Sequence, residues 1–316
     1  MVNCESQLAN SMMLSVSVII ATRNRPHLLV RAVESAWAAG TNVEVVVVDD
    51  ASLEQTAHVC RALRNITYVR ADHHQGLAGA RNLGIIASSG DCISFLDDDD
   101  VRLPGSLDLQ VQALESAPTA GLVYGQALIA NQQGLPTGRF YPANCPQGDI
   151  FWKLLEWNFI PCPTTLFRKS CLYRVGLLND TLTAAEDWDL WIRIAELYEI
   201  LAVEQPVAMW REPTPTSNQY TSRCGEILQL CATLFEERWL RLPRARTAES
   251  SKLQNARRLF NDRITDQLIW QLLRELREGR MLYVAKTLSI LARLGPLRTS
   301  TRMLRYSRLR LLAGTS

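Results

Sequence analysis

Four consecutive carboxylates, Asp97, Asp98, Asp99 and Asp100, follow directly on the apolar run CISFL. Unbalanced charges at contact distance repel by roughly 4 kcal/mol per pair at an effective dielectric of about 20. Two arrangements relieve this. A hard divalent cation such as Mg²⁺ or Mn²⁺ takes carboxylate oxygens as ligands. Alternatively the run is a solvated helix N-terminus, which suits Asp100, just ahead of the helix expected from Pro104. A second acidic pair, Asp49 and Asp50, ends the run VEVVVV. A carboxylate there can accept hydrogen bonds from a nucleobase or a ribose hydroxyl, or close an Asx-turn ahead of the next helix. Asp50 is assigned to ligand and Asp49 to orientation. A third pair, Glu186 and Asp187, opens EDWDLW. Such a pair can abstract a proton from a substrate hydroxyl, each raising the other's proton affinity, or can simply be the acidic first turn of a helix.

The elements that position these groups read as alternating strands and helices. VSVII (16–20) is a buried strand; TRNRP turns the chain; a helix opens at Pro26 and closes at Gly40. Strand 43–52, helix LEQTAHVCRALR, strand ITYVR, helix LAGARNLGIIASS and strand DCISFL follow. That order implies βαβ units and a mainly parallel sheet. Ligands of such sheets bind beyond the carboxyl ends of the strands, so both strand-end acidic clusters are expected on one rim. Further on, a helix over 104–117, a strand GLVYGQALIA, a loop at 131–148 suited to closing over a site, helices QGDIFWKLLEWN and AAEDWDLWIRIAELY, a strand PTTLFRK and one or two strands in EILAVEQPVAMWR are expected. From about 220 the pattern is helical throughout.

Taken in order, VSVIIATRNRPHLLVRAVESA, EVVVVDDAS, GLAGARNLGI, SFLDDDD and AAEDWDLWIRIA resemble the family-2 glycosyltransferases of GT-A fold, over roughly residues 15–215. The resemblance implies an α/β GT-A architecture and transfer of a sugar from a nucleoside-diphosphate donor, usually with inversion. By the same resemblance, Ala21 and Thr22 contact the nucleoside, Asp50 the nucleobase, and Arg81 and Asn82 lie near the donor, with Arg81 approaching phosphate. Asp97-Asp98-Asp99 resembles the DXD motif: Asp99, with Asp97, is the expected ligand of Mn²⁺ or Mg²⁺, while Asp97 and Asp98 compete for ribose and supporting roles. Asp187 resembles the catalytic base, with Glu186 beside it. Thr164 and Thr165 fall where acceptor binds. Trp188 and Trp191 share a helix face that suits either a sugar platform or core packing. Arg211 falls at a basic position that can meet the diphosphate. His73 and His74 precede Gly76 and hold a small claim to metal.

The 316 residues carry 34 Lys/Arg and 32 Asp/Glu, a net charge of +2, but residues 224–316 hold 18 against 8 and the first 223 hold 16 against 24. This divides the chain into a tail (1–14), an acidic catalytic domain (15–220) and a basic helical region (221–316). Basic amphipathic helices attach to anionic membrane surfaces, so peripheral membrane contact is expected there, alongside packing on the catalytic domain and dimerisation. No binding motif suggests nucleic acid. Eight scattered cysteines without a CxxC pair, no bilayer-spanning apolar stretch and no basic, apolar leader point to a cytoplasmic protein at the inner face of the membrane. The expected acceptor is a glycan, a lipid-linked glycan or a protein. Two alternatives stand beside this: a haloacid-dehalogenase-type phosphatase using Asp97-x-Asp99-x-Val101, and an inactive scaffold of the same fold.

Overall fold

The sheet opens on buried apolar strands, with one half-exposed strand at its edge. β1 (Val16–Thr22), β2 (Val43–Asp49), β3 (Ile66–Arg70) and β4 (Cys92–Asp97) are joined through α1 (Pro26–Ala38), α2 (Glu54–Ala62) and α3 (Gly76–Ala87). The computed structural model describes residues 13–212 and 224–294; the segments 1–12, 213–223 and 295–316, with most of the expected tail, lie outside the described residues. The chain continues through β5 (Val101–Arg102), α4 (Ser106–Ser116), β6 (Ala120–Ala130), β7 (Pro136–Tyr141), α5 (Phe151–Glu156), β8 (Leu166–Arg168), α6 (Leu172–Val175), α7 (Glu186–Leu197) and β9 (Glu199–Arg211). A helical series follows: α8 (Cys224–Glu237), α9 (Pro243–Arg246), α10 (Ser250–Arg277) and α11 (Met281–Leu294).

The sheet has nine strands in the order β3-β2-β1-β4-β8-β6-β9-β5, with β7 paired to β6. The ladders β3-β2-β1-β4 and β6-β9 are parallel, and the antiparallel joins at β8, β7 and β5 are only two or three residue pairs long. The expected mainly parallel α/β architecture is present. One face packs Val18, Ile20, Val45, Val47 and Leu96 against Leu29, Val33 and Ala36 of α1 and Leu107, Val111 and Leu114 of α4. On the other face α3 lies so close that a β-carbon on Gly84 would sit 2.3 Å from Ile19 and 3.2 Å from Val48. Trp191 packs there against Phe95 and Phe167.

Register fixes the rim. Ala21 lies opposite Asp97, and Thr22 opposite Asp49, so β1, β2 and β4 end at one level.

Two local expectations change. The helix after the acidic run begins at Ser106, not Pro104, because Gly105 takes the left-handed conformation and β5 intervenes. Asp100 is therefore not a solvated helix start; it is buried. Part of the loop 131–148 is the exposed strand β7. Of the one or two strands expected in EILAVEQPVAMWR, the structure has one, of 13 residues.

The chain forms two compact units, one of 13–150 with 159–212, the other of 151–158 with the helical series. The second unit thus takes in α5, which the sequence pattern assigns to 15–220. Within it Phe235 stacks on Phe260 at 4.0 Å, Arg244 lies over Phe151 and Lys252 over Trp152. Among the described helices none is long and apolar enough to cross a membrane.

Candidate active site

The strand-end acids meet at the rim and divide into two sets. Asp97, Asp99 and Asp100 each offer an oxygen within 4.8 Å of the others. Asp98 turns the other way. It is fully buried, accepts the Thr22 hydroxyl at 2.7 Å and the Arg25 Nε at 3.2 Å, and its Oδ1 meets Arg25 Nη2 at 2.5 Å, a charge contact outside hydrogen-bond alignment. Burial pushes its carboxyl up to about 7, against the pull of Arg25. The same arginine donates to Asp99 Oδ2 at 3.0 Å. Arg25 is the residue that motif reading misses. It stands in the turn after β1, where the strand-end rule that singles out Asp50 also points.

The three-acid cluster fits a hard divalent ion. Its donors are all carboxylate oxygens. Asp100 Oδ1 accepts the Arg211 amide at 2.9 Å, but Oδ2 is buried without a hydrogen-bond partner. A buried polar atom left so is costly, and a cation would satisfy it. Burial first, then the neighbouring carboxylates, raises Asp100 well above the usual carboxylate range, and burial raises Asp99 too. The expected ligands Asp97 and Asp99 are in the cluster; Asp100 joins them.

Arg81 links this cluster to the third acidic pair. Its buried guanidinium donates to Asp97 Oδ1 at 2.7 Å and to Glu186 Oε1 at 2.8 Å, and lies over the Phe95 ring at 5.0 Å. With both carboxylates attached, it holds the two acidic sets together. Burial raises Glu186 to about 7, with Arg81 opposing and Asp187 adding to the rise. Burial also raises Asp187, which accepts the Trp188 amide at 2.7 Å. Helix α7 is anchored by Arg193, which pairs with buried Asp189 at 2.9 Å and donates to the carbonyls of Val175 and Leu177. The thiol of Cys162 faces Arg81, Asp97 and the α7 acids, and burial keeps it protonated.

At the second acidic pair, Asp50 accepts the Gln75 amide at 2.6 Å and the Gly76 amide at 3.1 Å, and meets His74 Nδ1 at 2.6 Å. Its own amide donates to the Thr22 carbonyl. Asp49 accepts the Ser52 amide, the Tyr68 hydroxyl and Arg70, so it orients the turn. Three non-glycine residues at the rim, Asn24, Ala51 and Ala185, have φ of 57°, 53° and 60°. Each stands beside a site residue: Arg25, Asp50 and Glu186. Left-handed backbone costs roughly 1–2 kcal/mol per such residue, and it is kept where the chain must aim a side chain.

Other expected residues have different work. Asn82 exchanges two hydrogen bonds with the Leu178 backbone, at 2.9 and 3.0 Å, and ties α3 to that loop. Thr164 and Thr165 are fully buried, their hydroxyls closing a turn on the carbonyls of Pro161 and Cys162. Buried Arg102 and Gln110 hold the carbonyls of the same two threonines. Burial without a carboxylate partner lowers Arg102 to about 9. These threonines do not face acceptor. Trp188 and Trp191 are buried in the core, not a platform. The Arg211 guanidinium is drawn to the Gln132 carbonyl. His73 meets Gln75, and no described metal-type cluster includes a histidine. The phosphatase reading places its acid pair on the first strand of a domain, whereas β4 is fourth in the chain and interior to the sheet.

The Glycosyl transferase family 2 model matches residues 17–176. An uncharacterized glycosyltransferase of Haemophilus influenzae is 28% identical over 183 residues, 57% of this chain and 62% of the relative. The succinoglycan biosynthesis protein ExoU of Rhizobium meliloti is 31% identical over 195 residues, 56% of each chain. The chain thus spans little more than half the length of these curated relatives, and 26% of a longer one from Rickettsia bellii. Among solved structures, S. aureus TarS 1-349 gives a TM-score of 0.55 at 18% identity, covering 92% of both chains. The mannosyltransferase PcManGT from Pyrobaculum calidifontis, in complex with GDP-Man and Mn²⁺, gives 0.58 at 18%, covering 95% of this chain and 81% of that one. At such identities the likeness bears on fold: the architecture is GT-A.

Proposed function

Given that this chain belongs to glycosyl transferase family 2, we propose that it transfers a sugar, with inversion, from a nucleoside-diphosphate donor to a glycan, lipid-linked or protein acceptor, using Mn²⁺ or Mg²⁺. The observation that carries this reading is the Arg81 bridge, one buried guanidinium joining the three-acid cluster to the pair that opens α7. Asp97, Asp99 and Asp100 would hold the cation, which when bound offsets charge growing on the departing diphosphate. Asp50 binds the nucleobase side of the donor, beside Ala21 and Thr22. Asp187 takes the proton of the attacking acceptor hydroxyl. Its raised proton affinity makes it a stronger base than an ordinary aspartate. Glu186, held by Arg81, keeps the start of α7 in place. The rim's role is to bring acceptor oxygen and anomeric carbon in line at about 3 Å with water excluded. The name of ExoU, a succinoglycan biosynthesis protein, supports a polysaccharide-pathway acceptor, and a cytoplasmic position at the inner face of the membrane is consistent with that class of product.

The test is nucleoside-diphosphate release from a panel of nucleotide sugars with Mn²⁺. The wild-type protein turns over one donor class. Asp187→Asn lowers turnover by about 10²–10⁴-fold while donor still raises its thermal stability. Undiminished turnover in Asp187→Asn refutes the base assignment. Donor binding without transfer over a broad acceptor panel would return the scaffold reading.

A further inference from the structure

The end of the α10–α11 hairpin leaves several large apolar side chains exposed. Helix α11 buries Val284, Thr287, Ile290 and Leu291. The side adjoining this buried face is apolar as well: Met281 (65% exposed), Ala285, Leu288 and Ala292 form an uncovered stripe at helical spacing. Leu282, at 87%, and Tyr283 are exposed on the same helix, and Trp270 and Leu276 are exposed on the preceding one. A soluble helix pair rarely leaves this much apolar surface in one place without a partner.

The charges around the stripe choose the partner. Arg274, Arg277, Arg280, Lys286 and Arg293 are exposed there, and α11 carries no acidic residue. Of the nearby acids, Glu275 is buried and holds Thr287 and Gln271. Glu278 pairs with Arg280, and Lys286 reaches Glu226 of α8. The surplus is positive. A second copy docked on this face would bring arginines against arginines, which is unfavourable. The following segment, 295–316, adds five arginines and no acid. Exposed apolar side chains and a tyrosine among arginines match the boundary between acyl chains and anionic headgroups.

We propose that this face, centred on Met281, Leu282 and Leu288, inserts into the surface of an anionic phospholipid bilayer and carries the protein's membrane contact. The inference stands apart from the glycosyl-transfer reading.

The full chain is mixed with vesicles of phosphatidylcholine alone or with about 30% phosphatidylglycerol, and bound protein is separated by flotation. Binding is expected to the anionic vesicles only, and to weaken in about 0.5 M NaCl. The triple variant Met281→Asp, Leu282→Asp, Leu288→Asp keeps every arginine, replaces only exposed side chains and keeps its melting temperature. Its partitioning falls about tenfold or more. Three results overturn the proposal: no binding by the wild type, equal binding by the triple variant, or a wild-type dimer that the triple variant abolishes, which would make the face a self-association surface.

Discussion

Glu186 gives the sharpest energetic test of the site. Its carboxyl lies near 7 in the folded protein against an ordinary 4.5, because burial outweighs the attraction of Arg81. A carboxyl raised on folding holds its proton more tightly in the folded state. Its penalty is therefore absent below about pH 4.5, grows as pH rises, and is complete above about 7. At about 1.4 kcal/mol for each pH unit, the gap is worth roughly 3 kcal/mol. Glu186→Gln keeps the shape and an oxygen for Arg81 but removes the titration. Urea unfolding of the metal-free protein at about pH 5 and about pH 8, wild type against variant, reads the effect. Relative to wild type, the variant gains roughly 2.5 kcal/mol between the two pH values, since a little of the penalty is already present at about pH 5. At the lower pH it is no more stable than wild type. Asp98 is raised in both proteins and cancels from the comparison. A variant–wild-type difference that does not change with pH refutes the claim that burial governs Glu186.

Arg25→Gln removes the resident cation from Asp99, so titration with Mn²⁺ in the absence of donor gives about tenfold tighter binding than wild type; unchanged affinity would mean that Arg25 does not compete for the acidic rim. Gly84→Ala drives a β-carbon into Ile19 and Val48 and costs about 1–3 kcal/mol in chemical denaturation. Ala185→Gly relaxes the left-handed residue before Glu186, leaving stability equal or up to about 1 kcal/mol higher while turnover drops, because the aim of α7's first residues loosens; a loss of stability would show that Ala185 is unstrained.

What the sequence reveals is local. Apolar runs ending in carboxylates place Asp50 and Asp97–Asp100 on one rim because strand direction and register are repetitive, and the structure aligns those ends as expected. Side-chain direction beyond a strand's end is not periodic. Nothing in LDDDD tells that Asp98 turns inward to Thr22 and Arg25 while Asp100 faces the cluster. Asn82 and the two threonines carry the right chemistry in the right neighbourhood, but partners about 96 and 3 residues away engage them. The insertion of β8 between β4 and β6 and the parallel run of β9 along β6 are long-range pairings, set by packing rather than by any motif. Arg25 escapes notice because an arginine in a turn has no pattern to break.

The acidic quartet also has a consequence for how this protein can change. Side chains of an extended strand alternate, so a one-residue insertion or deletion ordinarily exchanges what a strand presents on its two sides. A homopolymeric stretch blunts that damage. Shifted by one place, it still delivers the same chemical group to three of the four original positions. Small length errors in the preceding strand would thus tend to degrade the reactive edge by degrees rather than erase it at once.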